Sequence, residues 1–149
     1  MIYLDANIFI YAYFKPKEGV VLSDKIKWCK EEAKKIVESI NGEKNHYCIS
    51  LIQLTEVVNL LKTAMSWEDL QKFIMGLFSN SSIEITEIPK MIYINAVNKM
   101  VDYNMDANDI SALLLMKEKN IKKIYTFDRH FENIPDIICL PQIPNKLKK

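Results

Sequence analysis

Ile2-Tyr3-Leu4-Asp5-Ala6-Asn7-Ile8 is the stretch of sequence that decides the fold. Its three leading apolar residues predict a short buried strand, and the apolar pattern that continues to Phe14 predicts a helix. A strand that passes through a polar corner into a helix is the repeating unit of α/β proteins. In such folds ligands bind beyond the carboxyl ends of parallel strands, so Asp5 and Asn7 at this corner are candidate functional residues.

The rest of the chain repeats this alternation of helix and strand. Ser23, Ser50 and Ser66 precede runs of helical spacing, and Pro89 and Asp106 mark two further helix starts. These helices are predicted to end near Ile40, Met65, Phe78, Tyr103 and Lys119. Short apolar runs predict strands at residues 46–49, 83–88, 124–127 and about 137–140. The pattern predicts an α/β fold around a mainly parallel sheet.

The helix that begins after Ser50 carries an acid in an unusual setting. Ser50 and Gln53 form a capping-box pattern, in which each side chain accepts the backbone N–H of the other residue. Glu56 follows, with Ile52 and Leu60 four residues away on either side, on the same stripe of the helix. An exposed glutamate normally has polar neighbours, so we expect Glu56 to point into a cleft or an interface. A surface ion pair is the alternative.

Composition bounds the class of protein. The chain has 149 residues, 49% of them hydrophobic and 26% charged, as expected for one globular domain over residues 1–149. A net charge of +1 gives no bulk signal of nucleic-acid binding. The widely spaced Cys29, Cys48 and Cys139 suggest neither disulfides nor zinc, which favours a reducing, cytoplasmic setting. No apolar run approaches the ~20 residues of a membrane span, so no membrane partner is expected.

Several acids stand where a site could form. Asp5 and Asp128 each follow a predicted strand, and Asp106 and Asp109 begin a predicted helix that is apolar nearly all round. Taken singly, each is explained as a helix cap or a turn residue. Acids in a first helical turn also stabilise the helix by about 0.3–1 kcal/mol through its dipole.

Taken together, four of the acids predict a metal site. Asp5, Glu56, Asp109 and Asp128 come from separate segments that an α/β fold could bring to one end of its sheet. Each pair of like charges about 4 Å apart costs on the order of 4 kcal/mol at an effective dielectric near 20, so the group needs a cation. Oxygen ligands favour Mg²⁺ or Mn²⁺, which activate water against phosphodiesters.

The ordered set Asp5-Ala6-Asn7, Glu56, Asp109 and Thr126-Phe127-Asp128 resembles the PIN-domain signature, in particular that of VapC-like toxin ribonucleases. The resemblance spans nearly the whole chain. It implies a single PIN-like domain, built as a three-layer α/β/α sandwich with a central, mainly parallel sheet. It also implies a Mg²⁺- or Mn²⁺-dependent endoribonuclease, often a homodimer, that acts on RNA and is neutralised by an antitoxin protein.

The same resemblance implies roles for individual residues. Asp5, Glu56 and Asp109 would be the core metal ligands, and Asp128 would complete the acidic site directly or through water. Asn7 and Thr126 would orient acids or water. Asp106 would be a further supporting residue, although it fits the family pattern less well than Asp109. The implied reaction is attack of a metal-activated water on an RNA phosphodiester. Arg129 is a candidate for substrate binding, and His130 is expected to be a loop-surface residue.

Other functions remain open at this stage. A phosphatase that forms an aspartyl phosphate expects a second Asp two residues after Asp5, where Asn7 stands, and a phosphorylation receiver expects paired acids after its first strand. A non-catalytic PIN-like scaffold that binds RNA or protein is possible, although repelling acids without a catalytic use would lower its stability. An RNA-processing nuclease that is not a toxin would carry the same residues. The segments Phe14–Ser23 and Ser50–Phe78 are candidate contacts for a dimer, an antitoxin or the substrate.

Overall fold

The computed structural model describes residues 1–42 and 44–148. The strands are β1 (Ile2–Leu4), β2 (Tyr47–Ser50), β3 (Ile83–Thr86), β4 (Lys123–Tyr125) and β5 (Ile138–Leu140). In the described residues the α-helices are α1 (Ala6–Tyr13), α2 (Asp24–Asn41), α3 (Leu51–Leu61), α4 (Trp67–Ser79), α5 (Lys90–Tyr103) and α6 (Ala107–Glu118). Short 3₁₀ helices cover Arg129–Asn133 and Asn145–Leu147. Within these described ranges, no helix is both long and apolar enough to span a membrane.

The strands form one sheet in the order β3-β2-β1-β4-β5, and all neighbouring pairs are parallel. β1 is the central strand. Because successive side chains of a strand point to opposite faces, Ile2 and Leu4 pack with α1 to α4, whereas Tyr3 packs with α5 and α6. Two apolar cores therefore enclose the sheet, which confirms the predicted three-layer α/β/α sandwich.

Local capping explains where the helices begin. Ser23, Ser50 and Ser66 each accept a backbone N–H three residues ahead, at 3.3, 3.2 and 3.1 Å, which confirms them as helix caps. A cap of this kind contributes about 1 kcal/mol. Helix α6 is buried on most of its surface, as its apolar pattern predicts. This burial fixes the first turn of α6 against the sheet.

Some element boundaries differ from the prediction. The strand predicted at 124–127 ends at Tyr125, although the Thr126 N–H still donates to the Leu140 carbonyl of β5 at 2.8 Å. The strand predicted at 83–88 ends at Thr86. Helix α3 ends at Leu61, four residues before the predicted Met65. All the predicted helices and strands are present, so the differences concern their ends.

Candidate active site

Asp5 lies where β1 meets α1, at the carboxyl edge of the sheet. Its extended backbone (φ −80°, ψ 146°) makes it the N-cap residue of α1, yet its side chain makes no capping hydrogen bond. The Oδ2 atom instead accepts a hydrogen bond from Thr126 Oγ1 at 2.6 Å. Asp5 is only 5% exposed. Its carboxylate is therefore buried and held toward the exit of the neighbouring strand β4.

Thr126 and Asn7 hold this carboxylate in place. The Thr126 hydroxyl accepts from Asn7 Nδ2 at 3.2 Å and from the Asp128 backbone N–H at 2.9 Å. Both partners are donors, so the hydroxyl proton is left to donate to Asp5. Asn7 Oδ1 accepts from the Phe127 N–H at 3.2 Å. The structure thus places Asn7 and Thr126, two of the three predicted supporting residues, in one network that ties α1 to the end of β4.

Asp106 and Asp109 occupy the start of α6. The carboxylate of Asp106 accepts the Asp109 N–H at 3.0 Å and caps the helix. Asp106 is exposed, whereas Asp109 in the first turn is half-buried. Burial first, and then the charges of the other four acids, raise the pKa of Asp109 from 3.8 to about 8. Those four acids are Asp5, Asp106, Asp128 and Glu56.

The carboxylates act on one another as one group. Burial raises the pKa of Asp5 from 3.8 to about 7; the charges of Glu56 and Asp128 add to the shift, and the Thr126 hydrogen bond opposes it. Burial, followed by the charge of Asp106, raises the pKa of Glu56. The structure therefore brings the four predicted ligands, together with Asp106, into one electrostatic field. Such a group retains protons near neutral pH unless a cation neutralises it.

A cavity of about 590 Å³ opens onto this group. It lies between the end of α5, the start of α6 and the 3₁₀ helix that begins at Arg129, and Asp106, Asp109 and Asp128 line its acidic side. Its remaining lining residues are Met100, Val101, Asn104, Met105 and His130. Glu56 and Asn108 line a second depression of about 390 Å³. Asp106, Asp109 and Asp128 are thus reached from one cavity and Glu56 from the other, while Asp5 stays buried.

His130 is exposed, as predicted for a surface residue, and it also lies in the wall of the larger cavity. Its Nδ1 is 2.7 Å from Asp128 Oδ1, and the same carboxylate oxygen accepts the His130 backbone N–H at 2.9 Å. A local motif produced this contact, since Asp128 caps the 3₁₀ helix. The sequence shows the adjacency of the two residues, but the cavity wall facing them comes from α5.

The Arg129 side chain makes its hydrogen bond outside the acidic site. Its Nη2 donates to the backbone carbonyl of Lys148 at 2.7 Å, and Arg129 is not among the residues that line the acidic cavity. The structure therefore does not bring it into the carboxylate group. Its part in substrate binding stays a prediction.

The capping-box pattern predicted the wrong hydrogen-bond partner for the Gln53 side chain. The first half of the capping box is present, because Ser50 Oγ accepts the Gln53 N–H. The second half is absent: Gln53 Oε1 accepts the backbone N–H of Ala6 at 2.9 Å, and the Ser50 N–H donates to Tyr3 Oη at 3.3 Å. The partner of Gln53 is distant in sequence, so a local motif could not reveal it.

The donor set fits a hard divalent cation. Asp5, Glu56, Asp109 and Asp128 offer oxygen atoms only, which Mg²⁺ and Mn²⁺ prefer over the softer donors that zinc favours. Among the described residues, no group of three or more His, Cys, Asp or Glu side chains is already arranged to hold a metal ion. Ion binding would therefore require side chains to turn, and the carboxylate of Asp128 is at present engaged by His130.

Comparison with known proteins gives a consistent result. The family model described as "PIN domain" matches residues 2–137. Mycobacterium tuberculosis VapC20, described as a sarcin-ricin loop cleaving toxin, superposes with a TM-score of 0.65 at 15% identity, covering 87% of this chain and 91% of that one.

Two further solved structures are similar. A toxin-antitoxin complex from Klebsiella pneumoniae gives a TM-score of 0.63 at 22% identity, covering 93% of this chain and 96% of that one. VapBC2 from Rickettsia felis, bound to a promoter DNA fragment, gives 0.59 at 22% identity, with 93% and 97% covered. These likenesses establish the fold. The search of curated proteins found no significant match.

Proposed function

The chain belongs to the PIN-domain family, and from this membership we propose that it is a Mg²⁺- or Mn²⁺-dependent endoribonuclease and the toxin of a toxin–antitoxin pair. One observation carries the catalytic part: burial and the charges of neighbouring acids raise the pKa values of Asp5, Glu56 and Asp109, which come from different elements at the carboxyl edge of the sheet. A stable fold gains nothing from such repulsion. An RNA phosphodiester is also anionic, so it approaches this group only when a cation is present.

The residues that would hold the cation are Asp5, Glu56 and Asp109, with Asp128 contributing directly or through water. When bound, a divalent ion supplies positive charge at the phosphodiester and makes water a stronger nucleophile near neutral pH. The chain itself does the positioning. Thr126 Oγ1 holds the Asp5 carboxylate at 2.6 Å, and Asn7 fixes that hydroxyl, so one ligand is oriented before an ion arrives.

Two of the similar structures support an antitoxin partner, since they are described as a toxin-antitoxin complex and as VapBC2 on promoter DNA. A protein partner and a homodimer also suit the surface. Exposed apolar side chains occur in both segments predicted for contacts, where Val21 is 90% and Trp67 73% exposed, and on α5, where Val101 is 91% exposed. Light scattering on the purified protein, alone and co-expressed with the product of an adjacent gene, tests both partners.

Cleavage of structured RNAs with and without Mn²⁺ tests the catalytic proposal. We expect Asp109→Asn to cleave RNA at least about 10–100-fold more slowly than the wild type. A loss of that size is typical when a residue that orients a metal ligand is removed. Asp69→Asn is the matched control, because Asp69 holds the same position in the first turn of α4, behind its cap Ser66, but is exposed and is not among the charges that raise the pKa values of Asp5, Glu56 and Asp109. Cleavage that survives chelation of divalent ions, or that Asp109→Asn leaves unchanged, would overturn the proposal and favour the scaffold function.

A further inference from the structure

An N-cap aspartate normally uses its carboxylate to accept a backbone N–H from the first turn of its own helix. Such a side chain accepts from the second or third residue of the helix. In α1 the Asn7 N–H faces the Asp5 carboxylate closely enough to lower its pKa, and the Ile8 N–H donates to the Asp5 backbone carbonyl at 3.2 Å. The N–H of Ala6, the first residue of α1, is left and needs an acceptor from another element.

Gln53 supplies that acceptor from another helix. Its Oε1 accepts the Ala6 N–H, the first of α1, at 2.9 Å across 47 residues of sequence. Gln53 is 1% exposed, and the N–H of Ala6 fixes the orientation of its amide, since only the oxygen can accept. Its Nε2 is buried and finds no hydrogen-bond partner among the described residues. An unpaired buried donor is unfavourable, so packing alone does not explain an amide at this position.

We propose that Gln53 is a positioning residue for the metal centre: by accepting the Ala6 N–H, it fixes the start of α1, and with it the adjacent Asp5, against the helix that carries Glu56. The part of this inference that concerns cation binding rests on the proposed function, whereas the part that concerns the position of Asp5 does not. Gln53 and Glu56 share helix α3, so the same helix carries one ligand and orients another.

Gln53→Met tests the inference, because methionine has nearly the same length and no comparable acceptor. In this variant we expect the start of α1 to shift away from α3 and the Asp5 carboxylate to leave the Thr126 hydroxyl. The Kd for Mn²⁺, measured by calorimetry, should then weaken about 10–100-fold, as is typical when a residue that orients a metal ligand is lost. Ser66→Ala is the control, since it removes the cap of α4 and should lower the Tm without changing the Kd.

A crystal structure of metal-free Gln53→Met separates this inference from the proposed function. If the wild type binds no Mn²⁺, the proposed metal centre fails, and the position of Asp5 in that crystal still decides the role of Gln53. An Asp5 that stays on Thr126, or a Kd equal to that of the wild type, overturns the inference.

Should the variant not fold, a crystal of the wild type soaked in Mn²⁺ decides the question. We expect Asp5 on the ion with Gln53 Oε1 still on the Ala6 N–H. An ion that binds Asp5 after Gln53 has left Ala6, or an ion that Asp5 does not touch, contradicts the role of Gln53.

Discussion

Replacing Asp5 by asparagine should stabilise the metal-free protein, and the gain should grow with pH. Burial raises the pKa of Asp5 from 3.8 to about 7, so the folded state holds a proton that the unfolded state has released. Wild-type stability is therefore full below about pH 4 and is lost as the pH rises through about 7. A shift of about three pKa units corresponds to about 4 kcal/mol when the loss is complete.

Asparagine avoids this loss because it carries no charge at any pH, while its Oδ1 can still accept the Thr126 hydroxyl. Since asparagine also brings an amide that must find acceptors among the neighbouring acids, we expect a net gain of about 2–4 kcal/mol at about pH 8. For a domain of this size each kcal/mol raises the Tm by about 2–4 °C. Near pH 4, where only the cost of the amide remains, the variant should unfold at the same temperature as the wild type or below it.

Calorimetric unfolding in the presence of a chelator, from about pH 4 to 8.5, measures the effect. Asp69→Asn is the control for loss of a carboxylate that is exposed. A Tm of Asp5→Asn equal to or below that of the wild type at about pH 8 would refute the reasoning and identify Asp5 as a structural cap. A gain that is the same at every pH would also refute it, because charge burial requires the gain to follow the pKa.

Three further predictions follow from the same geometry. Mn²⁺ affinity should rise at least about tenfold between pH 6 and 8.5, measured by calorimetry, because the ion competes with protons on Asp5 and Asp109, whose pKa values are raised to about 7 and about 8. Thr126→Val removes the hydrogen bond that lowers the Asp5 pKa, so the pH midpoint of Mn²⁺ binding should move upward; an unmoved midpoint would show that the hydroxyl does not act on Asp5. Asp106→Asn keeps a good helix cap but removes a charge that raises the pKa values of Glu56 and Asp109, so carboxyl NMR titrations should show both falling while the Tm is retained.

The sequence predicted what depends on neighbours along the chain. Ile2–Leu4 is a buried strand, and the serines at 23, 50 and 66 cap helices, because apolar periodicity and capping act over a few residues. The acids at 5 and 128 could be placed at one edge of the sheet, since parallel strands end on the same side. Because the fold class brings these two acids to the same edge, the effect of each charge on the other could be predicted as well.

What the sequence could not predict depends on contacts across the fold. Gln53 matches a local capping box, yet Tyr3 Oη takes the Ser50 N–H and leaves the Gln53 amide to the start of α1. His130 belongs to a cavity whose opposite wall is α5, so its surroundings are invisible in the loop that carries it. The partner of the Thr126 hydroxyl is hidden for the same reason, because Thr126 bonds to Asp5 across 121 residues of sequence.

The most direct test of the central claim, that these acids form one cation site, is calorimetric titration of Mn²⁺ into the wild type, Asp109→Asn and the control Asp69→Asn. It needs no knowledge of the RNA substrate. The account predicts millimolar or tighter binding to the wild type and to Asp69→Asn, and none to Asp109→Asn. Equal binding by all three proteins, or binding by none of them, would contradict the claim.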